Sequence, residues 1–106
     1  MDERINAVLS RLREQLAALY GTRLCRLVLF GSRARGDNEA DSDIDVLVVL
    51  KGTVVPAEEI ARTGGVVAAL SLEHGVVISC VFVSESSFDH DDTPLLLNVR
   101  REGVPV

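Results

Sequence analysis

Hydrophobic positions fall into two rhythms along the chain. From Asp2 to Tyr20, Ile5, Val8, Leu9, Leu12, Leu16 and Leu19 recur at helical intervals, predicting an amphipathic helix that Asp2 can cap and Gly21 can end. Leu24–Phe30 (LCRLVLF) is an apolar run too short for an independent helix and predicts a buried strand, broken by Gly31. Arg33-Ala34-Arg35 reads as a brief helical turn before Gly36, and Asp37–Ser42 as a polar loop. Asp43–Leu50 (DIDVLVVL), rich in β-branched residues, predicts a second strand. Pro56 and Gly75 bracket a helix over Pro56–His74. Gly64-Gly65 in its middle costs about 1 kcal/mol per glycine and marks a point of kinking or breakage. Val76–Val83 predicts a third strand and Ser84–Asp92 a turn or short helix, with Ser84 to Ser87 as capping residues. Thr93, Pro94 and Gly103 frame a last helix over Leu95–Glu102.

The order α-β-β-α-β-α belongs to the α/β (α+β) class, a sheet of about three strands with helices packed on it. The pattern alone leaves the strand directions open. A length of 106 residues fits one domain over residues 1–106. The 47% hydrophobic content, without Trp, makes the core one of Val, Leu, Ile and Ala. Such a composition is poor in platforms for stacking on unpaired bases. A formal charge of −5 with no Lys/Arg stripe argues against a general nucleic-acid binder. Any polyanion must be met locally, with help from a divalent cation. Cys25 and Cys80 lie inside apolar runs and read as buried free thiols. The charged start and short apolar runs give no signal or membrane span, so the expected location is cytoplasmic.

The segment with chemical content is Gly31-Ser32-Arg33-Ala34-Arg35-Gly36, followed after a polar stretch by Ser42-Asp43-Ile44-Asp45. A strand that ends in Gly-Ser and enters a helical turn exposes backbone N–H groups. Those groups and the Ser32 hydroxyl suit phosphate oxygens, aided by a helix N-terminus. Gly31 permits close approach of a triphosphate, and Arg33 and Arg35 add cationic donors. Asp43 and Asp45, two apart on a strand, share one face, with Ile44, Val46 and Val48 on the other. Converging carboxylates repel unless a hard cation such as Mg²⁺ neutralises them. Mg²⁺ typically takes one or two carboxylates plus substrate phosphates.

Gly31-Ser32, ten residues, then Asp43-Ile44-Asp45 resembles the signature of the DNA polymerase β-type nucleotidyltransferase superfamily. In its shortness the chain resembles the minimal nucleotidyltransferases. That resemblance implies a small mixed sheet of nucleotidyltransferase-like fold. It also implies Gly31 and Ser32 at the phosphates of ATP, and Asp43 and Asp45 as catalytic residues and Mg²⁺ ligands. Family members are often the antitoxin beside a HEPN-domain toxin, and some transfer AMP from ATP to a tyrosine of that partner. The superfamily usually carries a third carboxylate on the strand matching Val76–Val83. Here Ser79 stands at the expected place, and Glu73 and Glu85 only flank the strand.

Three readings follow: an adenylyltransferase acting on a HEPN-type toxin, an impaired antitoxin that neutralises its partner by binding alone, and a subunit acting on a small molecule or nucleic acid. The absence of room for an acceptor-gripping domain favours a protein acceptor. His74, His90 and the run Asp89-His90-Asp91-Asp92 read as surface or helix-end residues. Asp37, Glu39 and Asp41 read as loop solvation, and Arg100-Arg101 as charges suited to a helix C-terminus. Leu95-Leu96-Leu97 with Val99 is read as core.

Overall fold

The computed structural model describes residues 3–36 and 43–106. The Asp2 cap, the loop acids Asp37, Glu39 and Asp41, and Ser42 lie outside the described residues. Helix α1 (Glu3–Tyr20) leads through a single 3-10 turn at Gly21–Arg23 into strand β1 (Leu24–Phe30). Strand β2 (Ile44–Leu50), helix α2 (Pro56–His74), strand β3 (Ile78–Ser84), helices α3 (Glu85–His90) and α4 (Pro94–Glu102) and strand β4 (Val104–Pro105) follow.

The sheet is mixed, in the order β3-β2-β1-β4. Antiparallel β1 pairs with β2, and β3 runs parallel to β2 after the α2 crossover. Strand β4 adds a fourth member to the three expected. It pairs antiparallel with Val28 and Leu29 and is too short to show a hydrophobic rhythm of its own.

Helices cover both faces of the sheet. On one, Ile5, Val8, Leu12 and Leu16 of α1 and Leu70 of α2 pack on Leu27, Leu29, Ile44, Val46, Val48, Ile78 and Phe82. On the other, Phe88 of α3 and Leu96 and Val99 of α4 pack on Val28, Leu47 and Val49. Strand β2 is therefore apolar on both faces from Val46 to Leu50, each fully buried.

Some expectations need correction. Leu19 is exposed and Tyr20 takes its place in the buried α1 stripe. Helix α2 runs unbroken through Gly64-Gly65. Both glycines are exposed, and tertiary packing of Glu59, Thr63 and Leu70 on the same helix outweighs their low propensity. Cys25 and Cys80 are free thiols but half-buried. Of the C-terminal apolar run, only Leu96 and Val99 enter the core, while Leu95 and Leu97 face outward. Capping matches expectation: Ser84 accepts the Ser87 amide at 3.1 Å and Thr93 the Leu96 amide at 3.3 Å. Arg100 meets the C-terminal end of α3 rather than that of its own helix. Its guanidinium donates to the carbonyls of Phe88 and Asp91 and to Asp92.

A polar cluster unforeseen in the sequence ties the first layer together. Glu59 of α2 is 2% exposed. Its carboxylate accepts from the Tyr20 hydroxyl at 2.8 Å and from Arg23 at 3.3 Å, with Arg62 at 3.6 Å. Arg23 also donates to the carbonyls of Lys51 (3.0 Å) and Thr53 (2.7 Å), fastening the exit of β2. Burial, then the Glu59 carboxylate, raise the Tyr20 phenol well above its usual range and hold it as a donor. Glu59→Ala removes the shared acceptor of these donors and is expected to cost about 2 kcal/mol of stability in urea unfolding. Gly65→Ala, where a Cβ meets open space, is expected to add about 0.5–1 kcal/mol in the same experiment.

Candidate functional site

Three strand ends converge because of how the sheet is wound. The end of antiparallel β1 lies beside the start of β2, and parallel β3 starts there as well. The register places Phe30 opposite Asp45, and Asp45 opposite Ser79, making one row across three strands. Asp45 shares its face with Leu47 and Val49, the face covered by α3 and α4, while Ile44, Val46 and Val48 enter the α1/α2 core. Asp43 immediately precedes β2 and is exposed, whereas Asp45 is half-buried.

Gly31 follows β1 with φ +78°, and a Cβ built there would stand 2.6 Å from Asp45 Oδ2. The glycine is thus required twice, for its left-handed backbone and for the close approach of the turn to the carboxylate. Ser32–Gly36 forms a turn, closed by the Arg35 amide donating to the Gly31 carbonyl (3.2 Å) and the Gly36 amide to Arg33 (3.3 Å). The brief helical turn expected at Arg33-Ala34-Arg35 is therefore one hydrogen-bonded turn, too short for a helix dipole to contribute much. Ala34 packs against the α1/α2 core and anchors the turn. Ser32 and Arg33 are half-buried, and Arg35 is exposed. The structure thus brings Gly31 against Asp45, with Ser32 next along the turn.

Burial, and then the negative charge of Asp43, push the Asp45 carboxyl above its ordinary value. A carboxylate that is both desolvated and faced by another suits a hard divalent cation, and Asp43 and Asp45 are the residues that would hold one. Among the described residues no group of three or more His, Cys, Asp or Glu side chains forms a metal site.

Neither flanking acid replaces the carboxylate missing at Ser79. Glu73, the last residue but one of α2, pairs with Arg11 at 3.6 Å. Glu85 follows Ser84, the partner of Leu50 at the far end of β2, five residues or about 16 Å along the strand from Asp45. His90, Asp89 and Asp91 are exposed, as is Asp92, which pairs with Arg100 at 2.8 Å. Phe30, half-buried and in the same row as Asp45, escaped the sequence reading. Its signal was positional: the last strand residue before Gly-Ser, on the face set by alternation.

Two outcomes follow from this geometry. Gly31→Ala is expected to destabilise the fold by about 2 kcal/mol, and by less in an Asp45→Ala background where the opposing atom is gone. An acid whose pKa rises on folding stabilises the fold fully below its unfolded value of 3.8 and loses that contribution as pH rises through the folded value. At neutral pH the Asp45 carboxylate therefore opposes folding. Asp45→Asn is expected to raise the urea midpoint at about pH 7 in EDTA, with the gain vanishing near about pH 3.

The profile of the nucleotidyltransferase domain family matches residues 9–89. MJ0604 of Methanocaldococcus jannaschii, named as a candidate protein adenylyltransferase, is 38% identical over 70% of this chain and 68% of its own. A structure described as a candidate minimal nucleotidyltransferase superposes with TM-score 0.56 at 32% identity, covering 98% of this chain and 89% of that one. A chain of a toxin–antitoxin structure with AMP-PNP shares the fold, with TM-score 0.63 at 21% identity over 94% of this chain and 69% of that one. The chain, with its Gly-Ser turn set against Asp45 of β2, belongs to the nucleotidyltransferase domain family and is of the minimal nucleotidyltransferase type.

Proposed function

We propose that this chain transfers AMP from ATP to a tyrosine hydroxyl of a HEPN-type toxin partner and so acts as its antitoxin. The observation that carries the reading is the approach of the Gly31 turn to Asp45, which sets a phosphate-binding turn beside a carboxylate pair. The name of MJ0604 and the AMP-PNP-containing toxin–antitoxin structure support the same donor and the same class of partner.

In this reading the Ser32 amide and hydroxyl hold phosphate oxygens, and Arg33 and Arg35 offset their charge. Asp43 and Asp45 hold Mg²⁺, which supplies charge neutralisation to the triphosphate when bound. The acceptor oxygen forms a bond to the α-phosphorus as the bond from that phosphorus to the α–β bridging oxygen breaks. Pyrophosphate departs with the bonding electron pair, and the hydroxyl proton passes to water. The chain's contribution is positioning and electrostatics, since the Ser79 hydroxyl is too weak a base to take that proton.

The presence of Ser79 in the row with Asp45 favours a second reading, an antitoxin that acts by binding alone. Co-expression of the neighbouring gene's product with this chain, followed by intact-mass measurement, separates the two. One or more added adenylates, abolished by Asp43→Asn with the fold retained, is the expected result. An unmodified partner in a tight complex supports the binding-only antitoxin.

A further inference from the structure

Strand β3 is an edge of the sheet among the described residues. Its sequence, ISCVFVS, carries no charge and no proline, the devices by which edge strands are usually kept from pairing. The Ile44 amide donates to the Val77 carbonyl at 2.8 Å. Alternation along a parallel ladder then turns the peptide groups of Ile78, Cys80 and Phe82 outward, away from β2. Beside this edge runs a groove of about 350 Å³ between α2 and β3, lined by Ile60, Gly64, Val67, Ser79, Cys80 and Phe82. Its α2 wall is open at Gly64, where a Cβ would meet nothing within 4 Å. Ser79 stands in the row Phe30–Asp45–Ser79 on one face of the strand and the groove opens on the other, so a segment lying along this edge meets both.

We propose that the free edge of β3 receives an extended segment of the acceptor protein as an added strand and presents a tyrosine of that segment to Asp45. The proposal rests on the adenylyltransferase reading and supplies the mode by which its protein substrate is held. A strand added to β3 continues the row one spacing beyond Ser79, about 10 Å from the Asp45 backbone. Tyrosine bridges that distance toward the aspartates; serine and threonine are too short. Residues on either side of the tyrosine point to the opposite face, into the apolar groove. The expected recognition pattern is an apolar residue, tyrosine, then a second apolar residue. A second copy of this chain does not meet the requirement, because the hydroxyls of its own β3 are the short ones of Ser79 and Ser84. The transfer is the one already written, with the phenolic oxygen as nucleophile.

Gly64→Arg fills the groove without touching the nucleotide site, and Gly65→Arg places the same charge one residue on, outside the groove lining. Both positions are exposed, with open space around them, so both variants are expected to fold. Full-length protein, ATP, Mg²⁺ and the neighbouring gene's product are combined, and modification is followed by intact mass. ATP affinity and partner binding are measured in parallel. The expected result is transfer slowed by at least about tenfold in Gly64→Arg, with ATP affinity unchanged and Gly65→Arg like wild type. Wild-type transfer by Gly64→Arg overturns the proposal, as does equal slowing by both variants. So does a wild-type dimer that Gly64→Arg dissociates without loss of transfer, since the edge is then an interface between copies. If wild type modifies nothing, the adenylyltransferase reading fails on its own. Loss of partner binding in Gly64→Arg alone then still supports docking at this edge, and unaltered binding overturns that too.

Discussion

Burial of β2 on both faces is the constraint from which the rest of the molecule follows. Val46 to Leu50 are each removed from solvent, and each such side chain contributes about 1.5–3 kcal/mol. A strand buried in this way cannot carry charge in its interior, because an unpaired carboxylate there would cost more than any of these residues returns. Its polar chemistry is therefore confined to its first residues. The antiparallel approach of β1 and the parallel approach of β3 bring a turn and a strand start to the same place. Asp45 sits where two neighbours meet it and a helix does not fully cover it.

The two acids drawn inward by the fold live in opposite circumstances. Glu59 is the more buried, yet hydroxyl and guanidinium donors surround its carboxylate, and it joins α1, α2 and the exit of β2. Asp45 is less buried, yet it faces a second carboxylate and its proton affinity rises. Burial and the facing carboxylate, rather than any paired donor, thus set the state of Asp45. Ser79, not a third acid, stands beside it in the neighbouring strand.

The limits of β1 were legible because a buried strand leaves an unbroken apolar run ended by a glycine that must turn. The facing of Asp45 away from Ile44, Val46 and Val48 was legible because side chains alternate along a strand. Other features depend on partners far along the chain. Nothing near Glu59 shows that Tyr20 and Arg23 will meet it. Gly64-Gly65 reads as a break until the burial of the residues flanking it on α2 is known. Strand β4 has two residues, and only the waiting edge of β1 makes it a strand. Ser79, by contrast, was singled out by the resemblance, and register sets it opposite Asp45.

The connection between β1 and β2 spans residues 31–43, with Gly31 and Ser32 at one end and Asp43 at the other. Bringing together the ends of a connection of this length has a conformational entropy cost. A ligand that touches Ser32 and the aspartate pair at once holds both ends of that loop, so occupancy and hairpin closure become one thermodynamic event. Any ligand held in this way adds to the protein's resistance to unfolding.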